Sequence, residues 1–312
     1  MKIIAAFFKL IRWPNLVFII LTQVLFEYCI YFRVFPPSAR YQTEQHQFFL
    51  LVTASVCIAA AGYIINDYFD LNIDQINKPN KVVVNSIISR RWVILWHLLL
   101  SLTGLILTIV ALYHKLYLPL IIANTFSIFL LLLYSSSLKK RLLIGNVLIS
   151  LLTAWVIGII FFSKMNVSFL HGKGDEILHA RFFRLAVLYA GFAFIISLIR
   201  EVIKDMEDVE GDRKYACRTM PIVWGLNASK VFVAVWLSVL IAILFILQLY
   251  VWQFNWWFSI LYCTVLIIIP LIWVFKKLFT AVSSNEFHQL STAVKMIMFT
   301  GILSMLFFLF YH

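Results

Sequence analysis

Residues 182–212, FFRLAVLYAGFAFIISLIREVIKDMEDVEGD, decide the architecture. The first part, 182–200, is a continuous apolar run. At about 1.5 Å per residue, roughly twenty such residues cross a hydrocarbon core of ~30 Å as a helix. It has no ten-residue alternation of the kind a membrane β-strand carries. The chain then turns acidic within a few residues, as a membrane exit does. Working outward, similar apolar runs lie at 14–32, 46–65, 92–113, 116–135, 143–163, 228–250, 255–275 and 292–311, which makes nine predicted spans with 182–200. The expected fold is all-α, a polytopic bundle forming one integral-membrane domain over 1–312, with Asp-rich loops at 66–91 and 201–227 and a central cavity open toward the cytoplasmic side. The composition agrees. The 312 residues are 63% hydrophobic and 13% charged, with mean hydropathy +0.94. Those values exclude an ordinary soluble domain, a disordered chain and a disulfide-rich secreted scaffold.

The basic excess, 26 Lys and Arg against 14 Asp and Glu, reads as orientation rather than as nucleic-acid binding. With the N-terminus inside, nineteen basic residues fall on the cytoplasmic side and seven outside. The N-terminus and both Asp-rich loops are therefore predicted to be cytoplasmic, in the cell inner membrane if the source is bacterial. The segment after Lys2, Lys9 and Arg12 is read as the first span, because its run is too long for a signal peptide and no small-x-small cleavage site follows. The four cysteines (Cys29, Cys57, Cys217, Cys263) show no metal-type spacing and read as buried thiols. Glu27, the one acid well inside a span, is assigned no partner and is expected near the outer end of the first helix.

The acids carry the functional signal. Nine of fourteen lie in two segments on one predicted side of the membrane, NDYFDLNID at 66–74 and EVIKDMEDVEGD at 201–212. Asp67, Asp70 and Asp74 have the spacing DxxDxxxD; so do Asp205, Asp208 and Asp212, each offset by 138 residues. On a helix, positions i, i+3 and i+7 share a face, so each segment presents three carboxylates in a stripe. Facing stripes of like charge call for cations between them, and an all-oxygen donor set suits Mg²⁺ rather than zinc. Solvated loops of mixed charge are the plainer explanation for one such motif, but a weak one for two.

Bases surround the acids: Lys78 and Lys81 after the first triplet, Arg200, Lys204, Arg213, Lys214 and Arg218 around the second, and Lys139–Arg141 in the 4–5 loop. Carboxylates for Mg²⁺ beside Lys and Arg suit a polyphosphate. Neither a G-x-x-x-x-G-K-[ST] loop nor a G-x-G-x-x-G turn is present, so a nucleotide is not the obvious ligand. A lipid diphosphate is, because the remaining chain is apolar and rich in aromatics, with 29 Phe, 13 Tyr and 10 Trp. Some of these rings can line a tunnel for an isoprenoid tail and face an allylic cation.

NDYFDLNID with QINKPNK, and KDMEDVEGD with RTMP, resemble the two signatures of the UbiA superfamily of intramembrane prenyltransferases. RWPN at 12–15 and YSSSLKKRLLIGN at 134–146 look like two further elements of that superfamily, in the expected order. The resemblance implies Mg²⁺-dependent transfer of a polyprenyl group from its diphosphate to a lipophilic acceptor, within membrane lipid. It calls for no nucleic acid and no obligatory protein partner. It implies metal–diphosphate ligation by Asn66, Asp67, Asp70 and Asp74 on one side and Asp205, Asp208 and Asp212 on the other. Arg12, Asn15, Lys81, Lys139, Asn146 and Arg200 would bind substrate, and Asp70, Asp74, Asp208, Lys204 and Tyr134 would form the catalytic set. Within the superfamily both Asp segments look most similar to the type that prenylates the glycerol hydroxyl of geranylgeranylglyceryl phosphate. Aromatic acceptors such as 4-hydroxybenzoate or dihydroxynaphthoate stay open, as do the haem O and chlorophyll synthase types. In one departure, Asn80-Lys81 stands where Arg-Pro is usual, and Asn85 where glycine is usual. From other classes, a cation transporter would need its acids near the bilayer midplane. A CDP-alcohol phosphotransferase would need an Asp-Gly motif, which the chain lacks.

Overall fold

The computed structural model describes residues 2–36, 44–77, 83–113, 117–168 and 176–310. Among the described residues nine helices are long and apolar enough to cross a membrane: α1 (Trp13–Val34), α2 (Gln45–Asn77), α3 (Arg90–Leu112), α4 (Leu118–Ser136), α5 (Ile144–Met165), α6 (Glu176–Glu207), α7 (Gly225–Trp252), α8 (Trp257–Thr280) and α9 (Ser284–Leu309). The protein is a multi-pass integral membrane protein of all-α class. A short helix, Lys2–Leu10, precedes α1 and packs Ala6, Leu10 and Ile11 against Ile64, Val84, Ile88 and Val93.

The helices close into a ring. α2 packs on α1, α3 and α4; α5 on α4 and α6; α6 on α7 and α9; and α9 on α8 and back on α1. One end of the ring is plugged. Phe26, Tyr31, Phe35, Phe48, Phe161 and Phe182 bury their rings there, with Tyr31, Phe35 and Phe161 each 5.1–5.6 Å from the Phe182 centroid. A second core, between α6, α7, α8 and α9, holds Ile199, Val233, Leu237, Leu271, Val274 and Val294, all fully buried.

Local irregularities have identifiable causes. Pro270 in α8 has no N–H for the carbonyl of Leu266, and a π-helical turn, Thr264–Ile268, runs up to it. The Thr300 hydroxyl on α9 donates to that freed carbonyl at 3.0 Å, as a group in hydrocarbon requires. Asn85 sits at φ 67° in a tight turn in which its N–H donates to the Ile88 carbonyl at 2.8 Å. Asparagine enters this left-handed region more easily than other non-glycine residues, which explains how it replaces the usual glycine.

Three expectations need correction. Residues 66–77 are not loop but the last turns of α2, and α6 runs past residue 200 to Glu207, because charged residues extend a helix beyond its apolar stretch. The second Asp triplet does not lie on one continuous helix: the chain bends at Asp208, and a short helix, Val209–Lys214, follows. Glu27 does have a partner. It is buried inside the bundle with Lys164 of α5, Nζ to Oε1 at 2.6 Å, and both side chains are almost fully enclosed.

Candidate active site

Opposite the aromatic plug, α1, α2, α4, α5, α6 and α9 enclose a cavity of about 1050 Å³. This is at the upper end of the usual range for small-molecule sites. Its mouth is charged and its depth is apolar. Asn66, Asp67, Asp70 and Asp74 line it from α2, and Asp205, Asp208 and Asp212 line it from α6 and the segment beyond. Deeper in, the walls are Ile58, Ala59, Leu131, Leu152, Val156 and Ile159.

At the start of α1, Arg12 adopts a left-handed conformation (φ 51°) that separates the Lys2–Leu10 helix from α1, with Pro14 in the first turn, where its missing N–H costs nothing. The bend sends the Arg12 guanidinium into the mouth, 2.7 Å from Asp67 and over the Tyr63 ring at 5.4 Å. Burial opposes the Arg12 charge, but Asp67 outweighs it and holds the guanidinium above its ordinary pKa. In the 4–5 connection, Lys139 reaches Asp70 at 2.5 Å and donates to the Asn66 carbonyl oxygen at 3.1 Å; the Asn66 amide in turn donates to Asp70 at 2.8 Å. Burial, the larger influence, lowers the Lys139 pKa although Asp70 pulls the other way. A lysine already stripped of water in this way can exchange its carboxylate for a phosphate oxygen.

On the other wall, Asn146 donates to Asp205 at 2.8 Å, and Thr219 donates to Asp212 at 3.4 Å. Arg200 and Lys204 share one carboxylate, Glu201, at 3.1 and 3.3 Å. Tyr134 and Asn15 also line the cavity. Every predicted site residue thus lines this cavity or, for Asn146, bonds a residue that does, except Lys81, which falls outside the described residues.

Sequence reasoning missed several contributors. Asn77 accepts from the Gly211 N–H at 2.9 Å and donates to the Asp208 carbonyl at 3.2 Å, tying the end of α2 to the second Asp segment. Gly211 leaves room for that contact, since a Cβ there would run into the Asn77 amide. Glu207 pairs with His288 at 2.9 Å and accepts from Ser291, clamping α6 to α9. Lys295 of α9, counted above among the orientation charges, projects into the cavity and donates to Asn15 at 2.7 Å. Its signal was a lone lysine within an apolar span. Cys217 also lines the cavity, but burial and then Asp212 push its thiol up to about 11, so it is not a ready nucleophile.

Among the described residues no three Asp, Glu, His or Cys side chains converge as a ready-made metal cage. The donor chemistry still fits Mg²⁺, which is usually held by one or two carboxylates plus substrate phosphates rather than by an all-protein cage. Two carboxylate segments separated by a cavity and flanked by cations can hold a metal-bound diphosphate between them.

Comparison with known proteins agrees. A sequence model of the UbiA prenyltransferase family matches residues 20–310. A digeranylgeranylglyceryl phosphate synthase of Methanosphaera stadtmanae is 32% identical over 263 residues, covering 81% of this chain and 86% of that protein. A protein of the same name from Methanothermobacter thermautotrophicus is 35% identical, over 62% of each chain. Among solved structures, one of a digeranylgeranylglyceryl phosphate synthase superposes with TM-score 0.60 at 22% identity, over 98% of both chains. A UbiA homolog from Archaeoglobus fulgidus bound to DMAPP and Mg²⁺ gives TM-score 0.57 at 14% identity, over 96% of this chain and 98% of that one.

Proposed function

This chain belongs to the UbiA prenyltransferase family, and from that premise we propose that it transfers a geranylgeranyl group from its diphosphate to the glycerol hydroxyl of geranylgeranylglyceryl phosphate, with Mg²⁺ as cofactor. That it is a prenyltransferase follows from the family; the donor, acceptor and metal are our reading. The observation that carries it is a cavity with a charged mouth and a mainly apolar depth. Two points support the long donor and the glyceryl acceptor. Asp70 and Ser55, both lining the cavity, are fifteen residues apart on α2, or about 22 Å along its axis. An extended chain advances about 1.2 Å per bond, so that depth takes some eighteen bonds, enough for the sixteen main-chain carbons of four isoprene units. The relatives at 32–35% identity carry the name of an enzyme of that acceptor class.

Asn66, Asp67, Asp70 and Asp74 from one wall, with Asp205, Asp208 and Asp212 from the other, would hold the metal and the diphosphate. Bound there, Mg²⁺ supplies positive charge to the departing diphosphate oxygens. Lys139, Lys204, Arg200 and, from the residues outside the described set, Lys81 neutralise the remaining charge, so that the allylic C–O bond breaks with less build-up of free anion. Tyr134 presents an aromatic face to the cavity, where an allylic carbocation is favoured. The apolar depth keeps water from that cation, and the acceptor hydroxyl attacks it and loses its proton. The cytoplasmic placement of the mouth follows from the charge asymmetry of the loops.

The test is incubation of purified protein with radiolabelled geranylgeranyl diphosphate and a panel of acceptors. Label is expected in the ether product of geranylgeranylglyceryl phosphate; label in an aromatic acid instead would overturn the acceptor assignment.

A further inference from the structure

On the cavity wall formed by α1, α6 and α9, several cations share a carboxylate or bond none. Arg12 is matched by Asp67, and Lys139, across the cavity, by Asp70. Arg200 and Lys204, however, divide the single carboxylate of Glu201. Lys295 has no carboxylate at all among the described residues: its hydrogen-bond partner is the neutral amide of Asn15, and its ammonium lies 5.4 Å from the Phe18 ring centroid. Among the charged groups that line the cavity with it, the cations Arg200, Lys204 and Arg12 oppose its charge. In addition, the buried Nε of Arg200 has no acceptor. A lysine on a membrane-spanning helix that looks at three cations is costly unless an anion joins them. The Asp-rich segments that would take the metal-bound diphosphate do not supply one to Lys295.

We propose that Lys295 anchors a second anion subsite, beside the diphosphate site and sharing Arg200 with it, that binds the phosphate monoester of the acceptor. The inference rests on the glyceryl phosphate reading above. It goes further in naming the residues that select a phosphorylated acceptor over its uncharged counterpart. Lys295 is fixed by Asn15 in the first turn of α1, while Arg200 stands on α6, so the acceptor's phosphate is gripped from two helices. With the phosphate held at Lys295, the glycerol hydroxyl can reach C1 of a donor whose diphosphate lies between the two Asp segments.

The test compares wild type, Lys295→Gln and Lys295→Arg as full-length protein in detergent, each checked for monodisperse elution. Geranylgeranyl diphosphate is held at saturation, and geranylgeranylglyceryl phosphate or its dephosphorylated alcohol is varied. Lys295→Gln is expected to raise KM for the phosphorylated acceptor by at least about tenfold, the size of a lost hydrogen bond to a charged group. KM for the donor should stay within about twofold, and Lys295→Arg should recover most of the loss. Wild type should prefer the phosphorylated acceptor, and Lys295→Gln should lose that preference. An equal rise for both acceptors, or a rise in donor KM instead, overturns the subsite. The two levels separate cleanly. Wild type that prenylates no glyceryl phosphate refutes the acceptor reading itself, whereas normal wild-type turnover with an unaffected Lys295→Gln refutes only the subsite.

Discussion

Two groups of charges lie within this bundle, and they are held differently. At one end Glu27 and Lys164 form a single closed pair among aromatic rings, with the Lys164 ammonium 4.7 Å from the Tyr31 centroid. At the other end acids and bases are linked across six helices around an open cavity, and several are shared or unmatched. A closed pair fixes the packing of two helices. An open, incompletely matched set can exchange its internal partners for a ligand's charges. In a membrane protein the mere presence of buried charge therefore does not mark the site; the cavity beside it does.

The largest effect should come from the open set. Asp70→Ala or Asp208→Ala is expected to lower kcat by at least about a thousandfold, since several kcal/mol of charge stabilisation at ~1.4 kcal/mol per decade is at stake. Thermal stability in detergent should be nearly unchanged; retained prenyl transfer in both variants would remove the metal assignment. Breaking the closed pair should do the reverse. Glu27→Gln leaves a buried, unmatched ammonium and should cost about 3–5 kcal/mol of stability, while Glu27→Gln with Lys164→Met should recover much of it. Calorimetry on the single and double variants checks this, and a Glu27→Gln protein as stable as wild type would show that the pair is not what holds α1 to α5.

A finer test sits between the two Asp segments. Gly211→Ala would push against Asn77 and separate the end of α2 from the second triplet. A displacement of that size should reduce kcat by about ten- to a hundredfold, with a smaller change in melting temperature. An unaltered rate would mean that the Asn77 link does not set the spacing of the acids. The smallest effect is expected deep in the cavity, where the Trp155 indole N–H donates to Asn124 at 3.2 Å. Trp155→Ala should lengthen the tunnel and shift kcat/KM toward longer prenyl donors by several-fold. Donor competition assays measure this, and an unchanged preference would place the end of the tunnel elsewhere.

The span count and the two groups of carboxylates were legible in the sequence because both depend on spacing along the chain, although the bend at Asp208 breaks the second group's helical stripe. Hydropathy found the apolar middle of each helix but not its charged ends, so the last turns of α2 and the stretch of α6 from Glu201 to Glu207 were read as loop. Contacts between distant segments left no local trace. Asn77 meeting Gly211, Asn146 meeting Asp205 and Glu207 meeting His288 each join residues far apart in sequence. Glu27 and Lys164 were each visible as charges in or near apolar runs, but their meeting depends on how α1 packs against α5. Lys295 was legible in type and misread in role, because a basic residue near a helix end also fits the orientation rule.

The most direct measurement is the metal dependence of turnover. Purified protein is stripped with a chelator and supplied with geranylgeranyl diphosphate and geranylgeranylglyceryl phosphate, and product is followed as Mg²⁺ is returned. If opposed carboxylates hold the diphosphate through metal, product formation stops in chelator and returns in full with Mg²⁺. Undiminished product without any divalent cation would contradict the role given to both Asp triplets.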